Sequence, residues 1–337
     1  MKKKNLNVHK QLKKILDDYE INKIYLNFKK RLKFTSRKPF LVAVSGGPDS
    51  LALTALSKLY TNENRLKAYF VLIDHNIRKN SSKEARQVKK ILQKQKIILK
   101  ILKNKTKITK NIQSQAREAR YALLLKFCNK NNIKYILTAH HSDDQIETFL
   151  IRLSRGSGIQ GLSSMDDITI LDKKTKLLRP LLKEKKKNLL KITRKVFGKS
   201  IKDPSNKDKK YLRTRVRLLK KELEKSGVFH DQIIKSINNL TSTRNTLNMY
   251  IKKITNSYVK KKKRSQEINL KKILLETKEI QIKIISTSIK EISKSYYPPR
   301  SKKVLNLLNR LKFDKKFTLG GCILIKTGDI LSVKREI

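Results

Sequence analysis

Phe40-Leu41-Val42-Ala43-Val44 runs straight into Ser45-Gly46-Gly47-Pro48-Asp49-Ser50, and a helically spaced apolar segment, Leu51 to Leu59, follows. A continuous apolar run between Pro39 and a glycine pair fits a strand buried on both faces. The two glycines let the backbone turn tightly and come close to an anion. The N–H groups of the loop and of the helix start would point at that anion. Ser45 and Ser50 add hydroxyl donors. Asp49 alone would repel phosphate, so it belongs beside a cation such as Mg²⁺, which takes oxygen ligands from carboxylates and phosphates. The stretch is neither the GxxxxGK[ST] of P-loops nor GxGxxG. A bare Gly-Gly would suit any strand–turn–helix corner; the whole hexapeptide in this setting points to pyrophosphate binding.

Downstream the alternation repeats. Ala68 to Ile73 is a strand ending at Asp74-His75, and Ser82 to Leu92 reads as a helix with Ser82 as N-cap. Ile97-Ile98-Leu99 continues as a strand, Ile112 to Phe127 as a helix, Ile133 to Leu137 as a strand and Asp143 to Leu153 as a helix. Strands alternating with helices predict an α/β fold, a Rossmann-like parallel sheet with helices on both faces. Ligands of such sheets sit beyond the carboxyl ends of the strands, so the loops after Val44, Asp74 and Leu137 should meet.

On the other side, residues 5–33 read as one helix through Val8, Leu12, Ile15, Leu16 and Tyr19. Beyond Lys183 the chain turns basic and helical, with amphipathic helices at Lys183 to Phe197 and Leu212 to Leu223. Residues 229–293 are almost all helix-compatible, Val304 to Leu311 resumes a helix after Pro298-Pro299, and Phe317 to Val333 carries a hairpin signal. The expected organisation is a nucleotide domain over 1–217, with 1–36 as leading helix, and a mostly helical domain over 218–337 ending in a small hairpin.

The 337 residues carry 83 Lys and Arg against 27 Asp and Glu, a formal charge of +56. Such an excess repels itself unless something anionic takes it up. Lys, Ile and Asn are all abundant, as in chains from AT-biased codons, so part of the charge also reads as drift over solvated surface. Cys128 and Cys322 are alone and far apart, which excludes a disulfide scaffold. No apolar run reaches the roughly 18 residues of a membrane span, and no apolar stretch follows the basic start as in a secretory signal. A cytoplasmic protein with a nucleic-acid partner and no membrane is expected.

The segment after the strand ending at Leu137 carries the remaining chemistry: His140-His141-Ser142-Asp143-Asp144-Gln145-Ile146-Glu147. On a helix Asp143, Asp144 and Glu147 share a face, and carboxylates near a helix N-terminus are favoured by its dipole. Acids so close shift one another's pKa unless a metal or an amine neutralises them. With so few His and Cys in the chain, His140 and His141 do not make a zinc site. Lys210, Arg213, Arg217 and Lys220 lie largely on one face of a helix whose inner stripe is Leu212, Val216 and Leu219. That face suits phosphate contacts, which position RNA without reading its sequence. Arg117 and Arg120 have the same two readings, phosphate contact or surface charge. Lys260 to Arg264 is as much a solvated loop as an RNA contact.

SGGPDS at 45–50 resembles the phosphate loop of the PP-loop, or N-type, ATP pyrophosphatases, whose fold is that of the adenine nucleotide alpha hydrolases. The segment from His140 to Thr148 and the run from Arg152 to Met165 resemble stretches of the tRNA(Ile)-lysidine synthases within that group. So do Asp74 to Arg78, Asn111 to Tyr121, Asp203 to Asp208 and the tail from Thr318 to Glu336. The chain departs from the pattern at Thr214, where Asn is usual, and at Lys220-Lys221, where a Pro is usual. The resemblance implies ATP-dependent ligation of free L-lysine to C2 of the wobble cytidine of the CAU-anticodon isoleucine tRNA. An adenylated cytidine would be the intermediate and AMP and pyrophosphate the products, so that the tRNA reads AUA as isoleucine. It further implies that Ser45, Gly46, Gly47, Pro48, Asp49 and Ser50 hold the pyrophosphate of ATP. Asp49 and Asp144 would bind Mg²⁺, Asp143 or Glu147 would orient the lysine ammonium or take its proton, and Arg117, Arg120, Arg213 and Arg217 would touch tRNA. Which carboxylate is the base stays open, as does the oligomeric state, a homodimer included. Two rivals remain: a tRNA thiolase of the same superfamily, and a non-catalytic RNA-binding module on an old nucleotide fold.

Overall fold

The computed structural model describes residues 12–336 except 37, 78–79, 107, 109–111, 202–207, 209, 296–297 and 312–314. Val8, Arg78, Asn111 and Asp203 to Lys207, used above, lie outside the described residues. The chain divides into two compact units, Met1–Leu240 and Thr241–Ile337.

The first unit opens with a 3-10 turn, Lys14–Asp17, and helix α1, Tyr19–Leu32. One helix over 5–33 was expected; Asp18 interrupts it. Its backbone is extended (ψ 115°) and its carboxylate caps α1 by accepting from the Ile21 N–H at 3.3 Å. A capping residue breaks the backbone while the apolar spacing runs on across it.

Strand β1 (Phe40–Val44) leads into α2 (Pro48–Asn64), β2 (Ala68–Asp74), α3 (Ser81–Gln93), β3 (Leu99–Lys103), α4 (Ile112–Lys130) and β4 (Tyr135–Leu137). Then come α5 (Ser142–Leu153), the short α6 (Ile159–Leu162), β5 (Ile168–Ile170), β6 (Lys176–Leu178), α7 (Lys186–Phe197), α8 (Leu212–Lys225) and α9 (His230–Tyr258). The sheet order is β3-β2-β1-β4-β6-β5, parallel except for β5. Two local expectations shift. Asn80, not Ser82, precedes α3; the Ser82 hydroxyl instead donates to Asp74 Oδ2 at 2.5 Å. β3 starts at Leu99, because Ile97 packs into the core while Ile98 is 88% exposed.

β1 shows why its run is apolar throughout. Phe40, Val42 and Val44 pack with residues of α1, α2 and α7, such as Phe28, Leu56 and Ile192. Leu41 faces the opposite way, against Leu124 and Cys128 of α4 and Ile136 of β4. Burying each such side chain contributes about 1.5–3 kcal/mol. From β1 the chain builds outward through β2 and β3, then returns to β1's other edge with β4. That reversal makes the carboxyl ends of β1 and β4 a topological switch point, where open α/β sheets bind ligands.

A boundary at 217 would cut α8, which packs on α5; the first compact unit runs on to Leu240, inside α9. The second unit contains the rest of α9, β7 (Val259–Lys261), β8 (Ser265–Asn269), α10 (Leu270–Ile273), α11 (Lys278–Ser293) and α12 (Ser301–Arg310). It ends with β9 (Lys316–Leu319), β10 (Cys322–Thr327) and β11 (Ile330–Arg335). The expected hairpin, β10–β11, is the middle of a five-stranded antiparallel sheet, β7-β8-β11-β10-β9. β7 and β8 were hidden in the helix-compatible stretch 229–293. In β8 only Gln266 and Ile268 point inward, a period of two in a polar context. The basic run Lys260–Arg264 spans this β7–β8 hairpin, where Lys261 pairs with Glu291 at 2.7 Å and Lys262 with Glu267. Among the described residues no helix is long and apolar enough to cross a membrane.

Candidate active site

The phosphate loop is held from within. Ser50 Oγ accepts from the N–H groups of Ser45 (3.2 Å) and Gly46 (3.1 Å) and donates to the Gly47 carbonyl at 2.9 Å. Ser45 Oγ lies 3.1 Å from Ser50 Oγ. The Ser50 hydroxyl, expected as a donor to phosphate, is therefore spent on shaping the loop. Gly46 sits at φ +84°, and a Cβ there would come within 2.4 Å of Val88 Cγ2. Only glycine fits both the dihedral and the space. Gly47 begins α2 with extended backbone and no side-chain cap, and Pro48 occupies the first turn, where a missing N–H costs nothing. From α7, Thr193 Oγ1 donates to the Pro48 carbonyl at 2.6 Å and ties the loop down.

Asp49 lies in the first turn of α2. Its Oδ1 is buried with no hydrogen-bond partner. Its Oδ2 is 3.5 Å from His141 Nε2. His141 precedes α5, and the same Nε2 is 3.5 Å from Asp144 Oδ2. This one imidazole thus spans the loop after β1 and the helix after β4. Burial would push its pKa down; Asp49, Asp144 and Asp143 outweigh that and raise it. Its neighbour His140 is held well below the ordinary value by burial, with Arg179, Arg117 and Arg213 adding to the effect.

The acidic trio on α5 is matched by α8. Arg213 bridges Asp144 Oδ1 (2.6 Å) and Glu147 Oε2. Arg217 Nε donates to Glu147 Oε1 at 2.6 Å, and Lys220 Nζ to Asp143 Oδ1 at 2.5 Å. Asp143 Oδ2 accepts from the Lys186 backbone N–H at 3.1 Å, and Asp144 Oδ2 from that of His141 at 3.1 Å. Burial raises the pKa of Asp143, but Lys220 and the Lys186 N–H bring it down to about 2. For Glu147, 5% exposed, burial is likewise overcome by Arg217 and Arg213, and the net shift is downward. The α8 face expected to meet phosphate is turned to carboxylates.

Arg117 and Arg120 are exposed on α4, and Arg117 is near enough to His140 to help lower its pKa. Arg117 stacks over Tyr121, 5.0 Å from the ring centre, and Arg120 reaches His75, just beyond β2, at 3.4 Å. Among the described residues no group of three His, Cys, Asp or Glu forms a metal cluster. A divalent cation would fit the orphaned Asp49 Oδ1, with phosphate oxygens completing its shell. Sequence reasoning missed His141 as the bridge and Arg179 as a neighbour of His140. Arg179 follows β6, a strand too short to announce itself, and its guanidinium donates to the Asp166 carbonyl at 2.6 Å.

A loop–helix phosphate cradle at the switch point of a parallel sheet defines a class, and residues 7–223 match the family model described as the PP-loop domain. A U34-tRNA thiolase from Methanococcus maripaludis shares this fold, with TM-score 0.55 and 19% identity over 66% of this chain and 80% of that one. The chain is 37% identical to the tRNA(Ile)-lysidine synthase of Wolbachia pipientis wMel over 304 residues, 88% of this chain and 70% of that protein. It is 41% identical to that of Orientia tsutsugamushi (strain Boryong) over 191 residues, 56% of this chain and 43% of that protein. The chain belongs to the tRNA(Ile)-lysidine synthase family, enzymes built on an ATP-using PP-loop domain.

Proposed function

We propose that the chain ligates free L-lysine to the wobble cytidine of an isoleucine tRNA with a CAU anticodon, in the cytoplasm. The base oxygen attacks the α-phosphate of ATP and pyrophosphate leaves. The ε-amine of lysine then attacks C2, and that oxygen departs with AMP. The observation that carries this reading is His141 Nε2, 3.5 Å from both Asp49 and Asp144. It joins a phosphate cradle to a carboxylate cluster, and this chemistry needs both, one for the leaving pyrophosphate and one for the attacking amine.

The loop Ser45 to Ser50 receives the pyrophosphate at the start of α2, the Ser45 and Gly46 N–H groups being engaged by Ser50 Oγ. Asp49, with Asp144 near it, would hold Mg²⁺, which offsets charge on phosphate oxygens. Asp143 or Glu147 orients the lysine ammonium, and the amine attacks only after losing its proton. Arg117 and Arg120 stand exposed for the tRNA backbone, and the second unit, Thr241–Ile337, would supply further tRNA contacts. A thiolase using cysteine chemistry is disfavoured by Cys128, whose thiol is buried and pushed up to about 12.

Asp49→Asn should abolish AMP release that depends on tRNA and lysine while tRNA binding is retained; unchanged turnover removes Asp49 from the site. Running the wild type with ATP, tRNA and either lysine or a sulfur donor separates synthase from thiolase. No turnover with either would favour the non-catalytic binding module.

A further inference from the structure

Every carboxylate oxygen of Asp143, Asp144 and Glu147 accepts a hydrogen bond from within the chain. An oxygen with one donor can still accept a second hydrogen bond, but an ammonium that is to take over the charge pairing of an acid must displace the cation already there. The partners are not equally displaceable. Arg213 bridges two acids, and Arg217 contacts both oxygens of Glu147, at 2.6 and 3.4 Å. The Lys186 and His141 donors are backbone N–H groups fixed by α7 and α5. Lys220 alone is a primary ammonium on a flexible stem, holding Asp143 by one hydrogen bond. One helical turn on, Glu224 Oε1 lies 3.8 Å from the same Nζ, a second anion to which the ammonium can swing.

We propose that Lys220 is a tethered placeholder for the substrate's ammonium at Asp143, displaced toward Glu224 when lysine binds. This rests on the reading of Asp143 as an amine-binding carboxylate. The chain holds at Asp143 the same functional group that it must admit there. The site is thereby shaped for a primary alkylammonium and kept charge-balanced while empty. The placeholder also lowers the apparent affinity for lysine, because the competent state is only the fraction in which Lys220 has moved away.

The test is steady-state kinetics of AMP release with the full chain. Lys220→Met keeps the stem and removes the charge; the KM for lysine should fall, by about tenfold where the pair is closed nine-tenths of the time, and the KM for ATP should stay. Lys220→Arg should raise the KM for lysine, because a guanidinium holds a carboxylate more firmly. In Lys220→Ala, methylammonium should compete with lysine at concentrations that leave the wild type unaffected. A lysine KM in Lys220→Met equal to or above that of the wild type overturns the placeholder, as does methylammonium without effect in Lys220→Ala. Asp143→Asn tests the underlying reading separately: an unchanged lysine KM there removes Asp143 from amine binding. A raised KM in Asp143→Asn beside an unmoved one in Lys220→Met leaves the reading standing and the placeholder refuted.

Discussion

The phosphate loop and the acidic cluster lie at the ends of neighbouring strands and are built by opposite means. The loop is made of backbone, one hydroxyl that satisfies its own turn, and a glycine no other residue can replace. The cluster is made of charge, with acids on α5 and cations on α8 cancelling across two helices. Backbone geometry is set once the sheet forms and asks nothing of solvent. A charge lattice depends on pH and on every one of its members. On the proposed reading, the pair teaches that one active site can be rigid where it would grip a constant group, the phosphates, and exchangeable where a small substrate would enter.

The difference breaks most sharply at Gly46. Gly46→Ala puts a Cβ into Val88 at a left-handed dihedral, so the loop must shift. ATP-dependent turnover should fall by about a hundredfold, since a misplacement of about 1 Å costs that much. Turnover near the wild-type level would mean that the loop is not rigid. Glu147→Gln probes the other side. It leaves Arg213 and Arg217 facing a neutral amide, and the first unit should lose up to about 3 kcal/mol, read from urea unfolding. No loss would mean that the lattice contributes nothing to the fold. The smallest effect is in acid. The folded-state pKa values of Asp143 and Glu147 are depressed, so the unfolded chain binds more protons and stability falls as pH falls. For Asp143 the window runs from 3.8 down to about 2. The urea midpoint should decline through that window and decline less in Asp143→Asn.

How far the sequence reached follows the same division. β1 and the loop were legible because a strand buried on both faces leaves an uninterrupted apolar run and the loop's chemistry is contiguous. β5 and β6 were not, being three residues each. The acids at 143, 144 and 147 were legible as one helix face. Their partners were visible as a basic stripe, but 66 to 77 residues away their destination is a tertiary fact. A basic stripe reads the same whether it faces RNA or acid. His141 was weighed only as a metal ligand, because nothing local says that it spans two loops. In the second unit helical composition concealed β7 and β8, where burial by the sheet overrides propensity.

That second sheet has an order of assembly built into it. β11 follows β7 to β10 in sequence, yet it lies between β8 and β10. During synthesis the β7–β8 and β9–β10 hairpins are complete before the strand that joins them exists. Each carries a bare edge until Ile330 to Arg335 arrives, and bare edges invite wrong pairing. Residues 330–335 therefore decide whether two ribbons become one sheet, and until they emerge both ribbons are open to wrong pairing.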